Sequence, residues 1–244
     1  MTLQCVILAG GRGTRMRPLT ETIPKALVPV LGVPFTAWQL RHLAGQGVDR
    51  VVYSIGYRGE MLRDYVADGS LFGVQVTWVD EGPRLRGTGG ALRLALEQGA
   101  LDDAFFVLYG DSYLPINMSE VERAWRESGA PAMMTVMRNE GRWDTSNVVF
   151  AGGRVIVYDK SRPEELRSEM RWIDCGLSIL TARVIAEGTE PGASGDLAEV
   201  FGHLSRSGAL AGYPMAGRFY EAGSPSGLQD LEAYLSTRPT LASS

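Results

Sequence analysis

Short apolar runs alternate with amphipathic segments through the first half of the chain. The apolar runs predict strands, and the segments between them carry apolar residues at helical spacing. The predicted strands are Cys5–Leu8, Val51–Ile55, Val74–Val79 and Phe105–Leu108. The predicted helices are Phe35–Ala44, Met61–Val66 and Ala91–Leu96. Because the strand runs are almost continuously apolar, we expect helices on both faces of a parallel sheet.

The pattern changes after Asp111, where the spacing begins to favour antiparallel strands. Val148–Phe150 and Arg154–Tyr158 flank Gly152-Gly153, which is typical of a hairpin. The remaining predicted elements are a helix at Met118–Arg126, strands at Ala132–Met137 and Ile173–Leu180, and helices at Asp196–Leu204 and Pro225–Leu235. We predict a three-layer, doubly wound α/β fold with a mostly parallel sheet and added antiparallel strands. One domain spans residues 1–236, and residues 237–244 form a flexible tail.

Composition narrows the class of protein. The 244 residues carry 24 Lys and Arg against 28 Asp and Glu, so no overall basic field favours a nucleic-acid partner. No apolar run reaches the roughly 18 residues that a membrane span needs, and the first residues do not form a secretion signal. The expected location is the cytoplasm, without a membrane partner. Cys5 and Cys175 are expected to be reduced and packed in the core.

A glycine-rich loop follows the first predicted strand. It consists of Leu8, Ala9, Gly10, Gly11, Arg12, Gly13 and Thr14, and leads to Arg15, Arg17 and then Lys25. Glycines after a strand let backbone N–H groups approach phosphate oxygens, and the cations suit a polyphosphate. Met16 occupies the third glycine position of the dinucleotide fingerprint, and the P-loop spacing is absent. The alternative interpretation is a solvated basic loop.

Asp111 ends the predicted strand that contains Val107, at the edge where open α/β sheets present ligands. Mg²⁺ on a triphosphate takes one or two protein carboxylates, so Asp111 is a candidate ligand, although a helix cap or turn residue would look the same. Gly87, Thr88, Gly89 and Gly90 precede a predicted helix and could let a flat base approach the main chain. The alternative there is a mobile turn.

Together, the loop at Leu8–Pro18 and the Pro24-Lys25 pair resemble the signature of the sugar-1-phosphate nucleotidyltransferases. The resemblance runs from about residue 4 to residue 235. It implies a Rossmann-like fold in which residues 1–115 mainly bind an NTP and residues 116–236 mainly bind a sugar 1-phosphate. It also implies three catalytic roles: Arg15 meets pyrophosphate, Lys25 stabilises phosphate charge, and Asp111, next to the nucleotide-binding Gly110, binds Mg²⁺.

The same resemblance implies further site residues. The segment that starts with Gly87, Thr88 and Gly89 lies against the base, and Lys160 holds the sugar phosphate. Asp174 and Gly176 stand where relatives have N-A-G, and Glu221 stands where many relatives have a second metal-binding aspartate. The segment 142–147 is interpreted as the sugar lip, with Arg142, Asp144 and Asn147 as its binding residues. Alternatives are an internally paired Asp174, a loop carboxylate at Glu221 beside a helix cap at Ser224, and a surface loop at 142–147.

Within that family, four segments look most like the heptose 1-phosphate guanylyltransferases: 109–114, 142–147, 158–160 and 219–225. GTP is therefore the favoured nucleotide. The short chain also resembles N-acetylmuramate 1-phosphate uridylyltransferases, and uridylyl or thymidylyl transfer to a hexose 1-phosphate is a further alternative. A sensor that binds nucleotide sugars without turnover is the alternative of another class. A homo-oligomer is left open.

Overall fold

A nine-stranded mixed sheet forms the centre of the protein. The computed structural model describes residues 2–139, 145–161, 163–166 and 168–238. The strands are β1 (Gln4–Leu8), β2 (Pro29–Val30), β3 (Val33–Pro34), β4 (Arg50–Ile55), β5 (Gln75–Asp80), β6 (Ala104–Tyr109), β7 (Ser112–Tyr113), β8 (Ala132–Arg138), β9 (Val148–Ala151), β10 (Arg154–Tyr158), β11 (Trp172–Thr181), β12 (Leu210–Pro214) and β13 (Tyr220–Glu221). The helices are α1 (Phe35–Gly45), α2 (Gly59–Val66), α3 (Gly87–Glu97), α4 (Met118–Ser128), α5 (Ala182–Gly188), α6 (Leu197–Arg206) and α7 (Pro225–Ser236).

The strand order places β1 between β4 and β6, within the parallel part of the sheet. The central sheet runs β5-β4-β1-β6-β11-β8-β12-β10-β9. Strands β5, β4, β1 and β6 are parallel, whereas β11 pairs antiparallel with both β6 and β8. The predicted doubly wound α/β fold is confirmed, and antiparallel strands enter in the second half as expected. The carboxyl ends of β1, β5 and β6 therefore meet at one edge, where such folds bind ligands.

Every predicted strand and helix is present, with its ends shifted by a few residues. The largest shift is at α3, which begins at Gly87 rather than Ala91, so the predicted base-contacting glycines form its first turn. Six elements were not predicted: the short helix α5, the two-residue strands β2, β3, β7 and β13, and strand β12, which pairs parallel with β8.

Alternate residues of each strand pack on opposite faces, which gives the fold three layers. On one face, Cys5 and Ile7 of β1 pack with apolar residues of α1, α2 and α4. On the other, Val6 packs with apolar residues of α3, α5 and α6. Cys5 and Cys175 are buried and unbridged, as predicted. No helix in the described ranges combines the length and apolar character needed to cross a bilayer.

A smaller apolar cluster holds the last helix near the ligand edge. Leu231 and Leu235 of α7 pack against Phe35, Trp38 and Tyr113. Strand β13, just before α7, pairs antiparallel with β7, and the register sets Glu221 opposite Ser112. This pairing places Glu221 beside Ser112, in the segment that follows β6.

Candidate functional site

The glycine loop leaves β1, the third strand of the nine-stranded sheet, and turns sharply over the sheet's edge. The Ala9 N–H donates to the carbonyl of Ser54 at 2.8 Å, and the Tyr57 N–H donates to the carbonyl of Gly10 at 3.0 Å. Gly13 has a φ of +59°, a conformation that favours glycine, and it starts a short 3₁₀ turn over Thr14–Met16. The Thr20 hydroxyl donates to the Gly13 carbonyl at 2.7 Å, which fixes the turn.

The loop forms one wall of a cavity of about 480 Å³ at the carboxyl ends of β1, β5 and β6. Among the predicted nucleotide residues, the lining includes Leu8, Ala9, Gly10, Gly11, Gly13, Gly87, Thr88 and Gly110. Arg12 and Thr14 are exposed and lie outside the lining, as does Gly89. The backbone of the loop, rather than its arginine at position 12, therefore faces the cavity.

Four charged side chains meet at one end of the cavity. The Lys25 ammonium donates to the Asp111 carboxylate, and the two side chains are only 21% and 15% exposed. Arg15 Nη2 lies 3.3 Å from Glu221 Oε2. The Ser224 hydroxyl donates to the other Glu221 oxygen at 2.7 Å. The structure thus brings together the three predicted catalytic residues and the predicted second metal carboxylate.

Backbone contacts explain why Asp111 and Glu221 are neighbours although 110 residues separate them. The Gly110 N–H donates to the Leu8 carbonyl at 2.9 Å, which ties the end of β6 to that of β1. The Ala222 N–H donates to the Asp111 carbonyl at 2.8 Å, next to the β7–β13 pair. Gly223 follows, and a Cβ there would overlap an Asp111 oxygen and lie 2.7 Å from both Glu221 Oε2 and Lys25 Nζ.

The two carboxylates fit the requirements of Mg²⁺. Within the described residues, no group of three or more His, Cys, Asp and Glu side chains is placed to hold a metal ion. Asp111 and Glu221 both approach the space beside Gly223, so the protein offers two carboxylates there. Two carboxylates with open positions suit an ion that keeps waters and binds substrate phosphates.

The predicted base segment is held by a loop from the second half of the chain. Gly195 accepts hydrogen bonds from the N–H groups of Gly89 and Gly90 at 2.9 and 3.3 Å. The Thr88 hydroxyl donates to Asp196 at 3.0 Å and accepts from the Leu197 N–H at 2.8 Å. A Cβ at Gly87, where φ is +71°, would lie 2.6 Å from the Gly195 carbonyl oxygen. The first turn of α3 is therefore an ordered wall of the cavity.

Four of the predicted sugar residues, Asn147, Lys160, Asp174 and Gly176, also line the cavity. Asp174 accepts from the Gly176 N–H at 2.9 Å and from the Tyr158 hydroxyl at 3.3 Å. Its own N–H donates to the Asn147 side chain at 3.1 Å. Burial raises the pKa of the Asp174 carboxyl, and the Gly176 N–H and the charge of Lys160 oppose that shift. Hydrogen bonds from the Gly176 N–H and the Tyr158 hydroxyl therefore fix the Asp174 carboxylate where it lines the cavity.

Lys160 also lines the cavity, and its Nζ lies 3.3 Å from Asp196 Oδ2. Burial acts to raise the pKa of Asp196, but the N–H of Ala198 and the charge of Lys160 outweigh it and leave that pKa lowered. Asp196 thus contacts the base segment through Thr88 and the sugar side through Lys160. Arg142 and Asp144 lie outside the described residues.

Sequence reasoning missed two functional candidates. Glu81 lines the cavity directly after β5, at the same kind of strand end that singled out Asp111. Its position at the end of a predicted strand is a signal in the sequence that could have identified Glu81 as a candidate site residue. The sequence identified Asp196 only as the first residue of a predicted helix. Its contact with Lys160 leaves no signal in the local sequence.

Comparisons with known proteins show the family to which the chain belongs. Residues 4–147 match the family described as nucleotidyl transferase. The chain is 30% identical over 211 residues to a UTP–glucose-1-phosphate uridylyltransferase of Synechocystis sp., covering 80% of this chain and 54% of that protein. It is 31% identical over 146 residues to the D-glycero-alpha-D-manno-heptose 1-phosphate guanylyltransferase of Campylobacter jejuni, covering 60% and 63%. The chain therefore spans less than two thirds of the length of both relatives.

Solved structures share the fold across nearly the whole chain. A putative glucose-1-phosphate thymidylyltransferase from Bacillus anthracis has a TM-score of 0.81 at 19% identity, covering 95% of this chain and 94% of that one. HddC from Yersinia pseudotuberculosis, complexed with GMP-PN, has a TM-score of 0.76 at 22% identity, covering 96% and 99%. At these identities the likeness establishes the fold.

Proposed function

Since the chain belongs to the nucleotidyl transferase family, we propose that it transfers a nucleoside monophosphate from an NTP to a sugar 1-phosphate and releases pyrophosphate. The observation that carries this proposal is the meeting of Arg15, Lys25, Asp111 and Glu221 at the end of a glycine loop. This set combines phosphate-binding cations with carboxylates for a divalent ion, in a cavity large enough for a nucleotide.

The proposed reaction is an in-line displacement at the α-phosphorus. An oxygen of the sugar phosphate forms a bond to that phosphorus while the bond to the pyrophosphate oxygen breaks. An ionised phosphate is already a nucleophile at neutral pH, so no general base is needed. The difficulty is the repulsion between two polyanions, which positive charge and alignment must overcome.

Cations that line the cavity supply that charge. Lys25 and Arg15 lie beside the loop whose N–H groups would surround the triphosphate, whereas Lys160 lies beside Asp174 on the sugar side. Asp111 and Glu221 would hold Mg²⁺, which neutralises phosphate charge and orients the leaving group when bound. Asp174 and Asn147 offer oxygen acceptors that suit sugar hydroxyls.

The favoured substrates are GTP and D-glycero-α-D-manno-heptose 1-phosphate, with a GDP-heptose as product. Support comes from the guanylyltransferase of Campylobacter jejuni and from the branch-like segments of this sequence. The second candidate is uridylyl transfer to a hexose 1-phosphate, which the Synechocystis relative supports over a larger share of this chain. The two candidates share the phosphate chemistry and differ in the base and the sugar.

A substrate panel tests the proposal. Pyrophosphate release is measured with GTP, UTP, dTTP, CTP and ATP against heptose, mannose, glucose and N-acetylmuramate 1-phosphates, with Mg²⁺ present. Fastest release with GTP and the heptose phosphate is the expected result. Fastest release with UTP would select the second candidate, and binding of nucleotide sugars without any release would favour the sensor.

A further inference from the structure

Gln39 is a buried polar residue of α1 whose side chain reaches the turn that carries Asp111. Only 1% of the residue is exposed. Its Nε2 donates to the Tyr109 carbonyl at 3.0 Å and to the Ser112 carbonyl at 2.9 Å. Tyr109 ends β6 and Ser112 starts β7. Asp111 lies between these two acceptors, so one amide group connects both ends of its turn.

The two carbonyls fix which way the Gln39 amide points. Its NH₂ group has two donors, one for each carbonyl, whereas a flipped amide would place Oε1 against two acceptors. Oε1 itself has no hydrogen-bond partner among the residues that the structure describes. An apolar side chain would avoid burying this unpaired oxygen. Departures from such packing rules are typical of functional sites, so we attribute the glutamine at this position to its contact with the turn.

Helix α1 gives Gln39 a rigid support. Phe35 and Trp38 pack into the apolar cluster that holds α7, while Leu40 packs in the larger core on one face of the sheet. The Trp38 indole N–H donates to the Val30 carbonyl at 3.0 Å. The residues on both sides of Gln39 are thus fixed by apolar packing and by a hydrogen bond. A side chain supported in this way can hold a neighbouring group within the tolerance that a metal site needs.

Two contacts join the Asp111 turn to the segment of Glu221. The Ala222 N–H donates to the Asp111 carbonyl at 2.8 Å. Ser112, whose carbonyl accepts from Gln39, lies opposite Glu221 in the β7–β13 pair. Because Gln39 binds both ends of the turn, it limits movement of Asp111 relative to Glu221. Mg²⁺ demands near-ideal geometry, so the relative placement of these two carboxylates decides how well they bind it together.

We propose that Gln39 is a positioning residue that holds the Asp111 carboxylate where it and Glu221 can bind Mg²⁺. It acts through its hydrogen bonds to the carbonyls of Tyr109 and Ser112. The inference rests on the proposed function, since it assumes that the two carboxylates bind Mg²⁺ together with a nucleotide. Gln39 is buried in the core and, among the described residues, does not belong to the cavity lining. Its effect on the ion is therefore transmitted by the turn.

The test compares wild type with Gln39→Met and Gln39→Leu in the full chain. Both variants keep a side chain of similar size and remove the amide donors. Thr36→Val is the matched control: Thr36 lies on the same helix, is fully buried, and its hydroxyl pairs with the Tyr53 hydroxyl at 2.5 Å. Calorimetry measures the binding of GTP and of UTP, without sugar phosphate, in Mg²⁺ and in EDTA. Thermal unfolding reports the stability of each variant.

Mg²⁺ should strengthen nucleotide binding to wild type, and this increase in affinity is called the Mg²⁺ gain. Both Gln39 variants should lose most of the Mg²⁺ gain, while their affinity in EDTA stays near the wild-type value because Gln39 does not line the cavity. The Mg²⁺ concentration that half-saturates pyrophosphate release should rise roughly 10- to 100-fold, as when a residue that orients a metal ligand is removed. Thr36→Val should lower the melting temperature through its lost hydrogen bond and retain the Mg²⁺ gain.

The inference is overturned if wild type shows no Mg²⁺ gain or if the Gln39 variants keep it. Loss of the gain in Thr36→Val as well would assign the effect to a general loosening of α1. Failure of both Gln39 variants to fold would make Gln39 a residue of the core alone. Binding separates this inference from the proposed function: a Mg²⁺ gain that depends on Gln39, without pyrophosphate release from any substrate pair, would support the inference and refute the transferase.

Discussion

Gly223 lies at the centre of the charged group, and adding one methyl group there tests how closely catalysis depends on that packing. In Gly223→Ala, the new Cβ would lie 2.7 Å from both Glu221 Oε2 and Lys25 Nζ and would overlap an Asp111 oxygen. These separations are about 0.7 Å shorter than normal contact, so all three charged groups must move. A misplacement near 1 Å costs roughly 100-fold in rate, or about 2.7 kcal/mol of transition-state stabilisation.

Stability should change little, because the displaced atoms are the ends of side chains and Gly223 is not among the glycines with positive φ. We expect kcat to fall by roughly 100-fold while the melting temperature moves by less than about 4 °C. Gly217→Ala is the control, since a Cβ there would meet nothing within 4 Å. Steady-state pyrophosphate release and thermal unfolding provide the measurements. Wild-type kcat in Gly223→Ala would refute the placement of the three charges.

Two further predictions concern the sugar side. Lys160→Ala should raise the KM for the sugar 1-phosphate by roughly 10- to 100-fold and leave the KM for the NTP unchanged, because a charged hydrogen bond is lost on one substrate only; equal changes for both substrates would contradict that assignment. The raised pKa of Asp174 means that the folded state holds its proton more tightly than the unfolded state, so stability falls as pH rises from the ordinary value of 3.8 through the raised value. Relative to Asp174→Asn, wild type should therefore gain unfolding free energy in urea titrations as pH falls from 7 towards 4, and a change in the opposite direction would show that the carboxylate is stabilised by its partners.

The sequence predicted the parts of the fold that depend on local pattern. Continuous apolar runs and apolar residues at helical spacing can be recognised within ten consecutive residues. Every strand and helix predicted from them is present in the structure. Strand β12 was missed because Leu210–Pro214 is short, contains Gly212 and ends in proline, all of which weaken a strand pattern. Helix α5 was missed because it has only seven residues and starts directly after β11, where Thr181 caps it.

The site was predictable where one segment carries the chemistry. The glycine loop and Asp111 each follow a strand, and strand ends of parallel sheets meet at one edge. The pairing of Lys160 with Asp196 depends instead on two loops that only the tertiary fold brings within 3.3 Å. Similarly, Arg15 meets Glu221 only because β13 pairs with β7.

The most direct test of the account is the transfer of an α-³²P label from GTP to a sugar 1-phosphate in a single turnover, compared between wild type, Asp111→Asn and the exposed α2 variant Asp64→Asn. Wild type and Asp64→Asn should form labelled nucleotide sugar at similar rates. Asp111→Asn should be at least about 100-fold slower with its fold intact, since a neutral amide replaces the carboxylate proposed to hold the Mg²⁺ that aligns the phosphates. Label transfer by Asp111→Asn at the wild-type rate would contradict the account.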